Sequence, residues 1–141
     1  MKKASFTMRP VSEILERRGL EPGGRVQKCI DNDVLRLSSP YLPHATGMLE
    51  KRGRMSTEIG SGEVNYASPY GRFLYYEKVM VGEKSRSAWA RPNEKKVVTD
   101  KNIQYRGGGL RGGRWFERMK ADHKDEILRN AARTSGGEAK K

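Results

Sequence analysis

Apolar residues recur at helical spacing in two long stretches of the chain. Between residues 25 and 38, Val26, Cys29, Ile30, Val34 and Leu37 step by three and four. That spacing lays them on one stripe and predicts an amphipathic helix. Ser38-Ser39-Pro40 stops it, because the residue before a proline is driven out of helical geometry. Near the other end, Phe116, Met119, His123, Ile127 and Ala131 repeat the same steps, predicting a helix over 114–132. A shorter helix is expected over 12–18, with Ser12 as its cap and Gly19 as its stop.

The pattern between the two long helices is less regular. Residues 40–49 read as an apolar connector stiffened by Pro40 and Pro43. Met55–Ile59 and Val64–Tyr66 flank Gly60-Ser61-Gly62, which predicts a β-hairpin. The aromatic run 70–76 is expected to be a helix, with Ser68 as N-cap and Pro69 at the first position. Residues 82–114 differ in kind. They hold nine Lys or Arg against three acids, six glycines and few aliphatic residues. Such a stretch reads as a long loop or β-arm that a neighbour orders. The expected organisation is an N-terminal segment over 1–24 with its short helix, one domain over 25–132 with 82–114 as an extended basic arm, and a flexible tail over 133–141.

Composition narrows the function classes. The 141 residues are 35% hydrophobic and 33% charged, with a formal net charge of +12 and a pI near 10.0. The core is therefore small, and surface is left for partners. The excess charge implies a polyanion or an acidic protein nearby. It is uneven: residues 31–77 hold five basic against six acidic residues, whereas 78–141 hold seventeen against eight. A lone cysteine, Cys29, excludes an intrachain disulfide and fits a reducing cytoplasm. No apolar run of signal-peptide length follows Lys2 and Lys3, and none approaches the roughly 20 residues that cross a bilayer. The expectation is a soluble chain that stays where it is made, with no membrane contact.

Little in the sequence points to chemistry. His44 and His123 are far apart and joined by only one cysteine, which is too few ligands for a zinc site. Asp31 with Asp33, and Asp122 with Asp125 and Glu126, are the acids a Mg²⁺-dependent nuclease would need. Their basic neighbours on predicted helices favour ordinary ion pairing instead. The glycine run 107–113 lacks the Gly-Lys-Ser/Thr ending of a phosphate-binding loop. With Arg106, Arg111 and Arg114 it reads as a basic arm that follows either a phosphate backbone or an acidic protein surface. No catalytic residue, metal or cofactor is expected. The tyrosines Tyr41, Tyr66, Tyr70, Tyr75 and Tyr76 are either core rings or a subunit interface, where tyrosine is enriched.

Three segments carry a resemblance. Pro40-Tyr41-Leu42-Pro43-His44-Ala45-Thr46-Gly47-Met48-Leu49 resembles the PYxPxxTGxL stretch of minor capsid proteins of tailed phages. Tyr66-Ala67-Ser68-Pro69-Tyr70-Gly71-Arg72-Phe73-Leu74-Tyr75-Tyr76 is similar to the YxxPYARxxYY segment that follows there after a short hairpin. Residues 108–124, from Gly108 through Trp115 to Lys124, look like the GGGLRGxxWFERMKADHK ending of some members. Gly71 stands where alanine is common, which weakens the local helix by about 1 kcal/mol. The resemblance spans about residues 26–130 and is to the tail-completion, or head–tail joining, type.

The resemblance implies an α+β fold, with helices packed on a small antiparallel sheet. It also implies a non-enzymatic virion protein, made in the host bacterial cytoplasm, that assembles as a ring in the neck. Six copies are preferred and twelve are possible. The implied partners are the ring's own copies, an adjacent neck or connector protein, and the tail terminator or tail tube, with genomic DNA in the channel as a further contact. A ring interface is heterologous, so two different faces of each subunit bury area. One face is expected to use Tyr41, Pro43, Tyr66 and Tyr70, with Tyr75, Tyr76, Leu110 and Trp115. The other is the arm, with Lys84, Arg86, Arg91, Lys95 and Lys96 followed by Arg106, Arg111 and Arg114. The alternative is a small basic nucleic-acid-binding protein, which the charge supports but no known binding signature accompanies.

Overall fold

A computed structural model describes residues 2–137. Its frame is an antiparallel helix pair. The second helix, α2 (Arg25–Ser38), follows a short α1 (Val11–Arg18); the pair's other member is α5 (Trp115–Thr134). Partners descend one helix as they climb the other. Arg25 Nε donates to the Thr134 carbonyl at 3.1 Å, Asn130 Nδ2 to Asp33 Oδ2 at 2.8 Å, and Arg36 pairs with Glu126 at 3.1 Å. One turn further on, the Tyr41 hydroxyl donates to Asp122. Val26, Leu37 and Met119 of the predicted stripes are buried, Phe116 is exposed, and both predicted spans match within two residues.

A single 3₁₀ turn over Ser39–Tyr41 carries the chain off the end of α2 into the core. There Leu37, Tyr41, Leu42, Leu49, Trp115 and Met119 form one buried cluster. Tyr66 and Tyr75 close it from the side, both edge-on to Trp115, with ring centroids 5.7 and 4.7 Å away. Edge-to-face packing of this kind adds to plain area burial.

The region expected to be a connector and hairpin folds differently. Met48–Ser56 is a helix, α3, and Met55 lies inside it. Leu49 and Gly53 are its buried positions, one turn apart. A Cβ built on Gly53 overlaps the Tyr66 ring, so only glycine allows this approach. The 57–66 stretch then runs without a strand ladder. Its backbone groups are met by side chains instead: Thr57 Oγ1 both accepts from Asn65 N and donates to Asn65 O, at 3.0 and 3.3 Å. Buried Asp31 accepts from Gly60 N at 2.7 Å and Gly62 N at 3.1 Å. The glycine turn was legible; that a helix side chain rather than a facing strand satisfies it was not.

Residues 68–71 form a turn, and the aromatic run contributes a short helix, α4 (Gly71–Tyr75), that begins after Pro69 rather than at it. Ser12 likewise does not cap α1, which starts at Val11 behind Pro10 and ends, as expected, at Gly19. The sheet is two antiparallel strands, β1 (Lys78–Gly82) and β2 (Lys96–Asn102), paired Met80 to Val98 and Gly82 to Lys96. An irregularity between Lys78 and Met80 leaves the Val79 carbonyl to Thr99 Oγ1 at 2.9 Å. Among the described residues, five α-helices and this small antiparallel sheet make the fold α+β. The C-terminal helix runs to Thr134, past the expected 132, and Ser135–Gly137 close it with backbone hydrogen bonds. The rest of the expected flexible tail, residues 138–141, lies outside the described residues.

Candidate assembly surfaces

The arm predicted over 82–114 divides into three parts. Residues 83–95 project as the loop joining β1 to β2, 96–102 are the strand β2, and 103–114 return across the body. The return is tied down along its length. Ile103 N donates to Glu77 O, Gly112 N to Tyr41 O and Arg114 N to Tyr75 O. Arg111 Nη1 donates to the carbonyls of Leu42 at 2.8 Å and Ser39 at 3.2 Å. Arg111 thus spends Nη1 on the 3₁₀ turn rather than standing free in an arm. The Arg114 guanidinium lies 5.9 Å over the Tyr76 ring. Gly107, Gly108 and Gly109 all have positive φ, which lets the return chain bend between Arg106 and Leu110, both exposed.

The 83–95 loop has no apolar core. It is organised by Glu94, whose carboxylate accepts from the backbone N–H groups of Lys84, Ser85 and Arg91 at 2.7, 2.5 and 2.8 Å. These bonds, from Ser85 first and then Arg91, hold its pKa down at about 2, since each favours the charged form. Around this centre Lys84, Arg86, Arg91 and Lys95 are exposed. Lys96 is turned inward, 5.1 Å over the Tyr70 ring, and donates to the Ala88 carbonyl. At the tip stands Trp89, 88% exposed. Sequence reasoning passed over it, although a lone tryptophan in an aliphatic-poor basic stretch is a signal, because such a ring has no core to join.

The aromatic face separates into buried and open members. Tyr41 and Trp115, expected at a subunit interface, are 2% and 3% exposed and belong to the core of the single chain. Tyr66, Tyr75 and Pro43 are half-buried against it. Burial pushes the Tyr66 hydroxyl up to about 12, and burial with the Glu117 hydrogen bond raises that of Tyr75. Tyr70, Tyr76 and Leu110 are the members that stay about half exposed. Elsewhere a groove of about 460 Å³ opens between α2, the 62–66 stretch, Tyr75 and the start of α5. Its walls are Ile30, Val34, Val64, Tyr66, Trp115 and Phe116. Ser38 Oγ and the Tyr66 hydroxyl sit near each other in its floor, and neither completes a hydrogen bond of ordinary geometry. No residue pattern marks this groove, because its lining comes from four separated segments: α2, residues 62–66, Tyr75 and the start of α5.

The acids weighed as nuclease ligands are otherwise engaged. Asp31 holds the 60–62 turn and Asp33 binds Arg36 and Asn130. Asp122 accepts from Tyr41, and Glu126 binds Arg36 and His123. Among the described residues, no group of three or more His, Cys, Asp or Glu is placed to hold a metal ion, and no helix is long and apolar enough to cross a membrane. No family model, no curated protein and no solved structure matches the chain.

Proposed function

We propose that this chain is a non-enzymatic structural subunit of a tailed-phage virion, forming a ring in the neck that joins the DNA-filled head to the tail. The observation that carries the reading is where the three phage-like segments meet. Residues 40–49 supply Tyr41, Leu42 and Leu49, residues 66–76 supply Tyr66, Leu74 and Tyr75, and residues 108–124 supply Trp115 and Met119 to one cluster. Arg111, Gly112 and Arg118 of the third segment bond the backbone of the first. That the three segments pack against one another supports reading their resemblance together. A closed heterologous ring needs two unlike faces, and the molecule carries unlike exposed surfaces in the apolar groove and the basic tip.

Electron microscopy of particles made without this protein tests the reading. DNA-filled heads and separate tails are expected; intact tailed particles overturn it. Native mass of the purified chain is expected to give a closed ring, of six copies in preference to twelve.

Trp89 among Lys84, Arg86, Arg91 and Lys95 favours a second reading, a nucleic-acid contact in which the ring stacks on a base and the cations meet phosphates. Trp115 is buried, so a change in tryptophan fluorescence on adding DNA reports Trp89. Binding by this loop loses affinity steeply as salt rises, by roughly one unit of log–log slope per phosphate neutralised. A ring subunit that meets only protein gives no such titration.

A further inference from the structure

Trp89 is exposed, yet the backbone that carries it is held on both sides. Its N–H donates to Ser87 Oγ at 3.1 Å, and the Ser87 N–H donates to Ser85 Oγ at 3.3 Å. Just before it, the Ala88 carbonyl accepts from Lys96 Nζ at 2.8 Å and the Ser87 carbonyl from Gly82 N at 2.8 Å. Two residues beyond it, Arg91 N donates to Glu94. A Cβ on Gly82 would overlap Ser85 Oγ and the Glu94 carboxylate, so only glycine lets the loop close here. Arg86 and Asn93, on either side of the tip, lie in the left-handed region at φ 53° and 64°. Backbone of that kind persists only where its surroundings over-determine it. The indole is therefore presented by a shaped loop, and little ordering is left for a partner to impose.

The same loop holds a polar recess of about 450 Å³. Lys84, Arg91 and Lys95 line it with Pro92 and Asn93, and so do Glu83 and Glu94. The Glu94 charge is spent on the N–H groups of Lys84, Ser85 and Arg91. Among the described residues, Lys84, Arg86, Arg91 and Lys95 form no ion pair. Over 83–96, five basic residues stand against two acids.

A flat exposed ring beside unpaired cations matches a base beside its phosphates. The ring stacks on the base, and the cations neutralise the backbone. An acidic protein surface satisfies the cations alone; a base with its phosphate satisfies ring and cations together. The form of the strand follows from the ring. In a duplex each base is covered above and below by its neighbours, and a side chain that enters must unstack a step. A single strand offers the same π-face without that cost. Three cations around one recess also suit neighbouring phosphates of one strand better than two backbones on either side of a groove.

We infer that the tip binds single-stranded nucleic acid in preference to duplex, with a base stacked on Trp89 and the adjoining phosphates held by Lys84, Arg91 and Lys95. This rests on the nucleic-acid reading of the tip and names the form of strand it takes. The test is fluorescence anisotropy of the full-length chain with a labelled oligothymidylate of about 15 nucleotides and with a duplex of the same length. The single strand is expected to bind roughly tenfold tighter than the duplex. Trp89→Ala is expected to lose roughly tenfold on the single strand with its salt dependence kept, and Trp89→Phe to recover most of that loss. Lys95→Ala is expected to lower the log–log salt slope by roughly 0.7, the share of one phosphate on a single strand. A duplex bound as tightly as the single strand, or single-strand binding indifferent to Trp89→Ala, overturns the inference and leaves the nucleic-acid reading standing. A chain that binds neither at low salt overturns both and leaves the ring reading untouched.

Discussion

The helix pair and the hairpin tip are ordered by opposite means. Around Trp115, order comes from area: aromatic and aliphatic side chains from four stretches of sequence bury one another, and the polar groups among them are tied to backbone. In residues 83–95 order comes from one carboxylate accepting three backbone N–H groups, with almost every side chain in water. A body held by burial cannot spare its residues for a partner. A loop held by one carboxylate and two serine hydroxyls leaves most of its other side chains free. Side chains left free for a partner therefore lie at the tip and the rim, and Tyr41 and Trp115 are not among them.

The comparison is broken most severely at Trp115. Trp115→Ala removes the ring on which Tyr66 and Tyr75 pack, and an emptied core site of that size costs about 3–5 kcal/mol. A fall in melting temperature of roughly 10–20 °C is expected. If calorimetry shows less than a few degrees, the cluster is not what holds the body. Asp31→Ala comes next. It strips the acceptor from Gly60 N and Gly62 N without opening a large cavity, so the loss is about 2–3 kcal/mol. Chemical denaturation should show a lower midpoint at an unchanged slope, since the surface exposed on unfolding hardly changes.

The same contrast explains how much could be read from the sequence. Both long helices were legible, because burial at period 3.6 writes itself into residue spacing. A small antiparallel sheet was expected, but its hairpin was placed at 55–66 and the 82–114 stretch was read as an arm. Met80, Val81, Val97 and Val98 are too few to mark paired strands, and thirteen residues separate β1 from β2. Helix α3 was missed because its buried positions are Leu49 and a glycine, and a glycine adds nothing to an apolar stripe. The Gly60–Gly62 turn was seen but given to the wrong partner, since Asp31 lies on a helix 29 residues earlier. Of the expected site residues, Lys84, Arg86, Arg91 and Lys95 do share the tip, while Arg111 turned inward to backbone carbonyls that no sequence pattern names.

At the tip the expected effects become local. Glu94→Gln keeps the shape of the side chain and removes its charge, so the N–H groups of Lys84, Ser85 and Arg91 lose a charge-assisted acceptor. Global melting is expected to stay unchanged, while amide exchange in 83–95 accelerates. In the wild type the folded carboxyl sits below its free value of 4.5, near 2. Its ordering effect is therefore complete above pH 4.5 and fades as pH falls toward 2. Exchange of the Ser85 and Arg91 amides, corrected for intrinsic rate, should rise across that window in the wild type and stay flat in Glu94→Gln. A flat wild-type profile means the loop is ordered by something other than this carboxylate.

The smallest effect on the fold is expected at Trp89, and that makes it the sharpest probe of function. Trp89→Ala deletes a ring that is 88% exposed, so unfolding free energy should change by less than about 0.5 kcal/mol. Trp115 continues to report the core, and its fluorescence transition on unfolding should be superimposable on that of the wild type. Whatever Trp89→Ala does to assembly, or to binding of DNA, is then an effect on contact and not on folding. Loss of attachment to the adjacent neck or tail component with the ring itself intact would assign the tip to a protein neighbour. Loss of a salt-sensitive DNA titration would assign it to the channel. A melting temperature lowered by several degrees would mean that the ring supports the loop from within, and the separation between a buried body and a free tip would have to be redrawn.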